Sequence, residues 1–160
     1  MTIDINKLPY RDNVAAIVHN RDSYLLLQRI DWPNNHWKFP QGGVNKNENE
    51  DETIKRELIE EIGTNKFKII GKSVYTNKYD WNDYTVKKAS FKWKGQLQKF
   101  FWVEFLGNDD DIKIDKNDIK KYMWVKKQNL KTYINHDDKN FTNYFLIVEK
   151  IIREFGEKKL

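Results

Sequence analysis

One short segment constrains the fold more than any other part of the chain: residues 50–62 have the pattern of an amphipathic helix. Ile54, Leu58 and Ile62 recur at every fourth position, which places them on one apolar stripe. Gly63 follows the stripe directly, and glycine is the residue at which helices commonly end. The segment therefore predicts a helix whose apolar side packs against a core.

The polar side of this predicted helix carries a group of glutamates. Glu57 and Glu61 are one helical turn apart and share a face, and Glu60 flanks them. Carboxylates so close to one another repel, and a divalent cation would remove that repulsion. Hard oxygen ligands favour Mg²⁺ or Mn²⁺. The alternative interpretation is a solvated acidic helix face, which is the usual explanation for such a group.

Two further features stand beside the glutamates. Arg56 could pair with Glu48 or Glu60 and so fix the orientation of the carboxylates. Gly42 and Gly43 form a turn ahead of the helix, where a backbone without side chains can approach an ion or a phosphate closely.

The complete pattern decides between these interpretations. It runs Gly, five residues, Glu, seven residues, then Arg-Glu-apolar-x-Glu-Glu-x-Gly, and it resembles the Nudix box. The matching residues are Gly42, Glu48, Arg56, Glu57, Leu58, Glu60, Glu61 and Gly63. Thr64 departs from the family, which usually has an aliphatic residue there.

The resemblance implies a catalytic site with Mg²⁺ as cofactor, for which Mn²⁺ is a possible substitute. Glu57, Glu60 and Glu61 would bind the metal, Gly42 would add a backbone carbonyl, and Arg56 would orient the glutamates. The implied reaction is attack of water on a phosphorus atom. Glu60 or Glu61 is the first choice for the general base, and a carboxylate from a distant loop is the second.

The rest of the chain predicts strands and a second helix. Apolar runs at 13–19 and 23–28 are split by Asn20-Arg21-Asp22, which indicates a hairpin. Further strands are expected at 37–39, 67–79, 97–106 and 122–125, with a charged loop at 107–121 and an amphipathic helix over 141–155. The predicted fold class is α/β (α+β), a Nudix fold with a mixed sheet sandwiched between helices, in a single domain of residues 1–160.

Three segments outside the box narrow the resemblance. YRDNV at 10–14 is similar to a YRPNV motif, WKFPQGG at 37–43 to WQFPQGG, and GQLQKFF at 95–101 to GQxQKWF. Together these motifs resemble bacterial RNA pyrophosphohydrolases and asymmetrical diadenosine tetraphosphate hydrolases. Asp12 in place of proline and Lys38 in place of glutamine are departures.

Several side chains in and near these segments are candidates for substrate binding. Arg11 and Arg29 can grip phosphates in a bidentate manner, or form surface ion pairs. Lys99 lies on a predicted strand and either contacts a phosphate or extends from an edge to solvent. Tyr79, near Trp81 and Tyr84, either stacks on a base or belongs to the core.

Two more regions resemble functional parts of the same enzymes. The segment from Asp118 to Val125 resembles PEFDxWxWV, whose glutamate aids the metal site, and Asp118 takes the place of that glutamate. Other alignments of the motif would place Asp115 or Asn117 there instead. The alternative is that Asp118 is an ordinary acidic residue of a loop. Lys139, with Asn135 and His136, precedes the last helix, where the resemblance implies contacts to the first bases and phosphates of RNA. His36 could approach a phosphate or remain a surface histidine.

Composition is compatible with these expectations. The net charge of +5 favours polyanionic partners or serves solubility, and the absence of cysteine excludes disulfides and thiolate chemistry. No apolar run approaches the length of a membrane span, and the N-terminus lacks a secretory pattern. We therefore expect a cytoplasmic location and no membrane partner.

The leading function is removal of pyrophosphate from the 5′ end of triphosphorylated or diphosphorylated RNA. The enzymatic alternative is asymmetrical hydrolysis of diadenosine tetraphosphate, a dinucleoside polyphosphate, to ATP and AMP. A non-catalytic Nudix module that binds nucleotides or RNA is a third possibility, but such modules generally lose box glutamates, and Glu48, Glu57, Glu60 and Glu61 are all present.

Overall fold

The computed structural model describes residues 2–135 and 144–156. Its strands are β1 (Tyr10–Asn20), β2 (Ser23–Arg29), β3 (Gln41–Gly43), β4 (Phe67–Asp80), β5 (Gly95–Phe105) and β6 (Ile119–Lys126). Its α-helices are α1 (Glu50–Ile62), α2 (Asp83–Lys88), α3 (Leu130–Ile134) and α4 (Tyr144–Gly156).

The strands form a mixed sheet in the order β4-β5-β1-β2-β6, and β3 pairs with β1 off this path. β1 and β2 form the predicted hairpin, with Asn20 opposite Ser23. β1 runs parallel to β5, whereas the β1–β2, β1–β3, β4–β5 and β2–β6 pairs are antiparallel. The predicted mixed sheet is therefore confirmed.

Helices cover both faces of this sheet, as predicted. The buried side of α1 packs with Val14, Val103 and their neighbours on one face. Residues of α3 and α4 pack with Ile17 and Trp102 on the other face. Among the described residues, no helix is long and apolar enough to span a bilayer.

The boundaries of α1 are those predicted from the sequence. Ile54, Leu58 and Ile62 are fully buried, and burial of each such side chain contributes roughly 1.5–3 kcal/mol. The side chain of Asn49 caps the start by accepting from the N–H of Glu52 at 2.8 Å. Gly63 ends the helix in the left-handed conformation, at φ 68°. Local capping and core packing thus agree on the same segment.

Two strand predictions need correction. The segment 37–39 is not a strand: it makes an isolated bridge between Lys38 and Leu27, and β3 begins only after Pro40. Its apolar character reflects packing, because Trp37 and Phe39 are buried. The predicted strand at 122–125 extends backwards to Ile119, so the charged loop ends earlier than expected.

Strand directions bring several distant residues to one end of the sheet. Because β1 and β5 are parallel, Arg11 and Gln96 are partners near the start of both strands. Antiparallel β4 brings Tyr79 opposite Gln96. On the other side of β1, Arg29 at the end of β2 is opposite Ile119, immediately after Asp118. This end of the sheet carries the candidate site.

Candidate active site

A cleft of about 580 Å³ opens at this end of the sheet, a size that suits a nucleotide-like ligand. Its walls come from every strand except β6, from α1 and α2, and from the loop before β6. The predicted site residues that line it are Arg11, Arg29, Gly42, Glu57, Glu60, Tyr79 and Asp118. The fold therefore brings together most of the residues singled out from the sequence.

Arg56 fixes the carboxylates of the box. Its Nε and Nη2 donate to the two oxygens of Glu48 at 2.7 and 2.9 Å, in a bidentate pair. Its Nη1 donates to Glu57 at 2.8 Å and to Glu60 at 3.3 Å. Nη2 also donates to the carbonyl oxygen of Gly43 at 3.2 Å. One guanidinium thus ties three carboxylates to the end of β3, where the sequence suggested a turn at Gly42 and Gly43, and this geometry suits the predicted orienting role.

Glu48 is the anchor of this network. Hydrogen bonds from Arg56 and from the hydroxyl of Thr53, the latter at 2.7 Å, lower the pKa of Glu48 to about 2. The backbone N–H of Asn45 donates to the same carboxylate at 3.2 Å. Glu48 is therefore ionised at any physiological pH, and it raises the pKa of Arg56 in return.

Glu57 and Glu61 form a close carboxyl pair. Glu61 is only 7% exposed, and burial together with the charge of Glu57 raises the pKa of Glu61 well above its ordinary value. Burial also raises the pKa of Glu57, although Arg56 opposes that shift. Burial and the charge of Glu57 together therefore disfavour a second negative charge on Glu61.

Gly42 and Gly43 let the β3 backbone approach two of these groups. A Cβ atom on Gly42 would overlap the carboxyl group of Glu57. A Cβ atom on Gly43 would overlap the guanidinium of Arg11. The paired glycines are therefore required by close packing of the site, and Gly42 lies directly against Glu57.

The donor chemistry of this group fits a hard divalent cation. Glu57, Glu60 and Glu61 offer only oxygen ligands, and a bound cation would offset the repulsion between Glu57 and Glu61. Within residues 2–135 and 144–156, no three acidic or histidine side chains already enclose a common point. Instead, Nη1 of Arg56 holds the carboxylates of Glu57 and Glu60 by hydrogen bonds.

Arg11 and Arg29 contribute positive charge to the same cleft. Arg11 is largely buried, and this burial lowers its pKa while the charge of Glu57 opposes the shift. Its Cζ lies 5.3 Å from the ring centroid of Trp93, a cation–π arrangement. Arg29 has loose ion pairs, with Nη2 at 3.9 Å from Asp118. Both guanidinium groups thus line one cleft together with Glu57 and Glu60.

Lys38 is a third cation of the cleft and was not assigned from the sequence. It is only 5% exposed, and its Nζ lies 4.9 Å from the ring centroid of Trp32, which also lines the cleft. The sequence did contain a hint of this role, because Lys38 is the residue of WKFPQGG that departs from the WQFPQGG motif. A buried lysine in the cleft that Glu57 and Glu60 also line suits an anionic ligand.

Asp118 is the one of the three alternative residues before β6 that lines the cleft. Its backbone carbonyl accepts from the N–H of Ile30 at 2.9 Å, which ties the loop to the end of β2. The carboxylate of Asp115 instead accepts from the backbone N–H of Asn117 at 3.0 Å and stabilises the turn. Of the three residues Asp118 alone has a position that fits the predicted role at the metal site, and that role stays a prediction.

The predicted aromatic cluster divides into two parts. Tyr79 and Trp81 line the cleft, and the hydroxyl of Tyr79 accepts from Nε2 of Gln96 at 2.7 Å. Tyr84 is 75% exposed and lies on α2, outside the cleft lining. Base stacking is thus available to two of the three rings.

Lys99 is not brought into the cleft. It lies on the face of β5 that carries α1, and its Nζ is 3.2 Å from Oε2 of Glu50 at the start of that helix. The prediction of a phosphate contact therefore has no support from this geometry, because strand alternation turns the side chain away. His36 also lies outside the cleft lining. His136 and Lys139 fall outside the described residues.

Comparison with known proteins identifies the class. The family model of the NUDIX domain matches residues 9–145, so the chain belongs to the Nudix family. Solved Nudix structures agree: an Ap4A hydrolase of C. elegans in a binary complex superposes with a TM-score of 0.70 at 17% identity, covering 92% of this chain and 98% of that one. At that identity the likeness concerns the fold.

Sequence relatives are more specific. The chain is 36% identical over 160 residues to an RNA pyrophosphohydrolase of Campylobacter jejuni, covering 96% of this chain and 97% of the relative. It is 35% identical over 129 residues to an RNA pyrophosphohydrolase of Orientia tsutsugamushi, covering 78% and 80% of the two chains. The protein is a hydrolase that acts on pyrophosphate bonds, and Nudix hydrolases are generally dependent on divalent metal ions.

Proposed function

We propose that this Nudix hydrolase removes pyrophosphate, or successive phosphates, from the 5′ end of triphosphorylated or diphosphorylated RNA. Relatives of nearly the same length are named RNA pyrophosphohydrolase, which supports this substrate class. We place the activity in the cytoplasm, where new transcripts carry such ends, and assign it to a single domain of residues 1–160.

The observation that carries the proposal is the charge arrangement of one cleft. Arg11, Arg29 and Lys38 line it together with Glu57 and Glu60. Cations can bind the oxygens of a phosphate chain, and carboxylates can hold the metal that such chains bring into a site. A cleft with only one of these two charge types would favour either simple anion binding or simple metal binding.

The residues of the cleft have the following tasks in this proposal. Glu57, Glu60, Glu61 and the carbonyl of Gly42 would hold Mg²⁺, or Mn²⁺ in its place, which when bound neutralises phosphate charge and activates water. Arg56 keeps the carboxylates oriented through the five hydrogen bonds described above. Arg11 and Arg29 bind phosphate oxygens and hold the reacting phosphorus in position.

Hydrolysis also requires a base. Attack of water forms a new P–O bond, breaks the phosphoanhydride bond and releases a proton that a carboxylate must accept. Glu60 lines the cleft with an exposed side chain, whereas Glu61 is buried beneath Glu57. Access therefore favours Glu60, and Asp118 in the cleft wall is the second candidate.

The experiment compares two substrates with one inactivating variant. Purified protein with Mg²⁺ is incubated with 5′-triphosphorylated RNA or with diadenosine tetraphosphate, and the products are separated. Glu57→Gln, tested on each substrate, removes a predicted metal ligand while keeping the size of the side chain.

Faster conversion of RNA to a 5′-monophosphate supports the proposal. A preference for diadenosine tetraphosphate would make the enzyme a dinucleotide hydrolase instead. If Glu57→Gln lost turnover but kept substrate binding, the defect would lie in chemistry. Binding of either compound by the wild type without turnover would indicate a binding module.

A further inference from the structure

The outer wall of the cleft is built by α2 and the turn that follows it. Thr85, Lys88 and Ala89 of this segment line the cleft, and Val86 is fully buried and anchors the helix to the body of the protein. The turn after the helix is tight, because Ser90 and Phe91 both adopt positive φ angles of 57°. The chain then enters β5 at Gly95, beside the cleft.

Lysines are concentrated on this wall and the adjoining strand. Four lysines but one aspartate occur within residues 83–94, and Lys78 on β4 lies next to them. We define the basic ridge as Lys78, Lys87, Lys88, Lys92 and Lys94. Of these, Lys88 reaches the cleft lining, so the ridge is continuous with the site.

Only some lysines of the described residues pair with carboxylates; the ridge lysines, like Lys68 and Lys127, do not, and they differ from those two in lying together beside the cleft. Lys66, Lys72 and Lys126 each have a carboxylate within 4.0 Å, at 3.0, 2.7 and 3.1 Å respectively. No ridge lysine takes part in an ion pair with another described residue. Within the described residues no ion pair therefore neutralises the charge of the ridge, and Nζ of Lys94 donates only to the backbone carbonyl of Asn6, at 3.0 Å.

Aromatic rings connect the ridge to Arg11, a cation of the cleft. The Nζ atoms of Lys78 and Lys94 lie 4.6 and 4.9 Å from the ring centroid of Tyr10. Trp93 has Lys92 on its ring at 5.9 Å and Arg11 at 5.3 Å. Interleaved cations and aromatic rings are the usual means of holding a single nucleic-acid strand.

We propose that the basic ridge binds the phosphate backbone of the RNA downstream of the 5′ end that occupies the cleft. This inference rests on the proposed function and deepens it. RNA carries one charge per nucleotide along a chain that must leave the cleft. A dinucleoside polyphosphate concentrates its charge in the polyphosphate and ends after two nucleosides, so it gains little from a surface outside the cleft.

The test uses substrate length. Lys87→Gln/Lys92→Gln removes two ridge charges from exposed residues that lie outside the cleft lining. Lys68→Gln/Lys127→Gln is the matched control, because both lysines are exposed and lie at the opposite end of the sheet. Each protein is assayed with a 5′-triphosphorylated dinucleotide, a 5′-triphosphorylated RNA of about twenty nucleotides and diadenosine tetraphosphate.

The ridge variant is expected to lose kcat/KM on the long RNA by on the order of tenfold at about 0.1 M salt. Its turnover of the two short substrates should match the wild type, which also shows that the fold is intact. The slope of log affinity for long RNA against log salt should fall by about 1.4, the value for two phosphate contacts on a single strand. The control variant should behave as the wild type on all three substrates.

Other results overturn the proposal in distinguishable ways. If the wild type hydrolyses both RNAs and the ridge variant does so equally well, the ridge inference fails and the proposed function stands. An equal loss on long and short substrates would mean that the lysines act through the cleft, which also refutes a downstream track. If the wild type hydrolyses neither RNA, both proposals fail together.

Discussion

Gly42 is where the backbone of β3 lies against Glu57, a predicted metal ligand, and its replacement by alanine tests the site geometry directly. The added methyl group would occupy space now filled by the carboxyl group of Glu57. Carbon contacts need about 3.5–4.0 Å, so Glu57 must move by on the order of 1 Å. Misplacement of about 1 Å at a reacting centre costs roughly 10²-fold in rate. That loss corresponds to about 2.7 kcal/mol of transition-state stabilisation.

The backbone itself should accept this substitution. Of the described glycines only Gly63 has a positive φ, so alanine introduces no conformational strain at Gly42. A lower entropy of the unfolded chain would stabilise the variant by about 0.4–1 kcal/mol and offset part of the crowding. We therefore expect Gly42→Ala to lower kcat about a hundredfold with a nearly unchanged melting temperature.

Two other glycines complete the experiment. Gly156→Ala is the matched control, since nothing lies within 4 Å of the added atom, and its turnover should equal that of the wild type. Gly43→Ala should instead raise KM, because the added atom displaces the flexible guanidinium of Arg11. Steady-state kinetics and thermal melts measure all three variants. Wild-type kcat in Gly42→Ala would refute the close approach of Gly42 to Glu57.

Three further predictions concern the carboxylate network. Arg56→Lys keeps the charge but loses the bidentate pair with Glu48, so kcat should fall by about 10–10²-fold in the same assay; unchanged kcat would exclude an orienting role. The pKa of Glu48 in the folded protein is about 2, below its ordinary value of 4.5. The wild type should therefore have its full advantage in free energy of unfolding over Glu48→Gln above pH 4.5, and should lose that advantage as pH falls towards 2. Denaturant titrations across that range should show the two proteins converging, and a constant difference would contradict the pairing with Arg56. Burial raises the pKa of Glu61, so ionisation of Glu61 opposes folding as pH rises. At pH 8 with a chelator present, Glu61→Gln should therefore melt at a higher temperature than the wild type, although it lacks activity. A lower melting temperature would show that the buried acid does not destabilise the fold.

Local sequence information was sufficient for α1. Its apolar stripe, the capping residue Asn49 and the terminating Gly63 all lie within fifteen residues of one another and agree on the same helix. The hairpin of β1 and β2 was equally clear, because a short polar turn separates two apolar runs. By contrast, α2 was missed: its six residues have no apolar stripe, and the helix depends on the cap by Asn82 and on burial of Val86.

Sheet faces were harder to predict than strands. Helices cover both sides of the sheet, so buried residues follow one another along β5 and the sequence does not show which side each strand residue faces. Lys99 was for this reason expected at the substrate, whereas it pairs with Glu50 on the α1 side. The segment 37–39 was misread for a related reason, since burial of Trp37 and Phe39 imitates the composition of a strand.

The sequence by itself determined the group of glutamates on one helix, the arginine beside them and the glycines ahead of them, because these relations depend on helical periodicity and short spacing. Only the tertiary structure decided that Glu61 is buried next to Glu57, that Lys38 enters the cleft and that Lys88 of α2 lines its wall. These relations arise at one end of the sheet, where β1 and β5 begin and β2 and β4 end. They therefore depend on contacts between residues far apart in the chain.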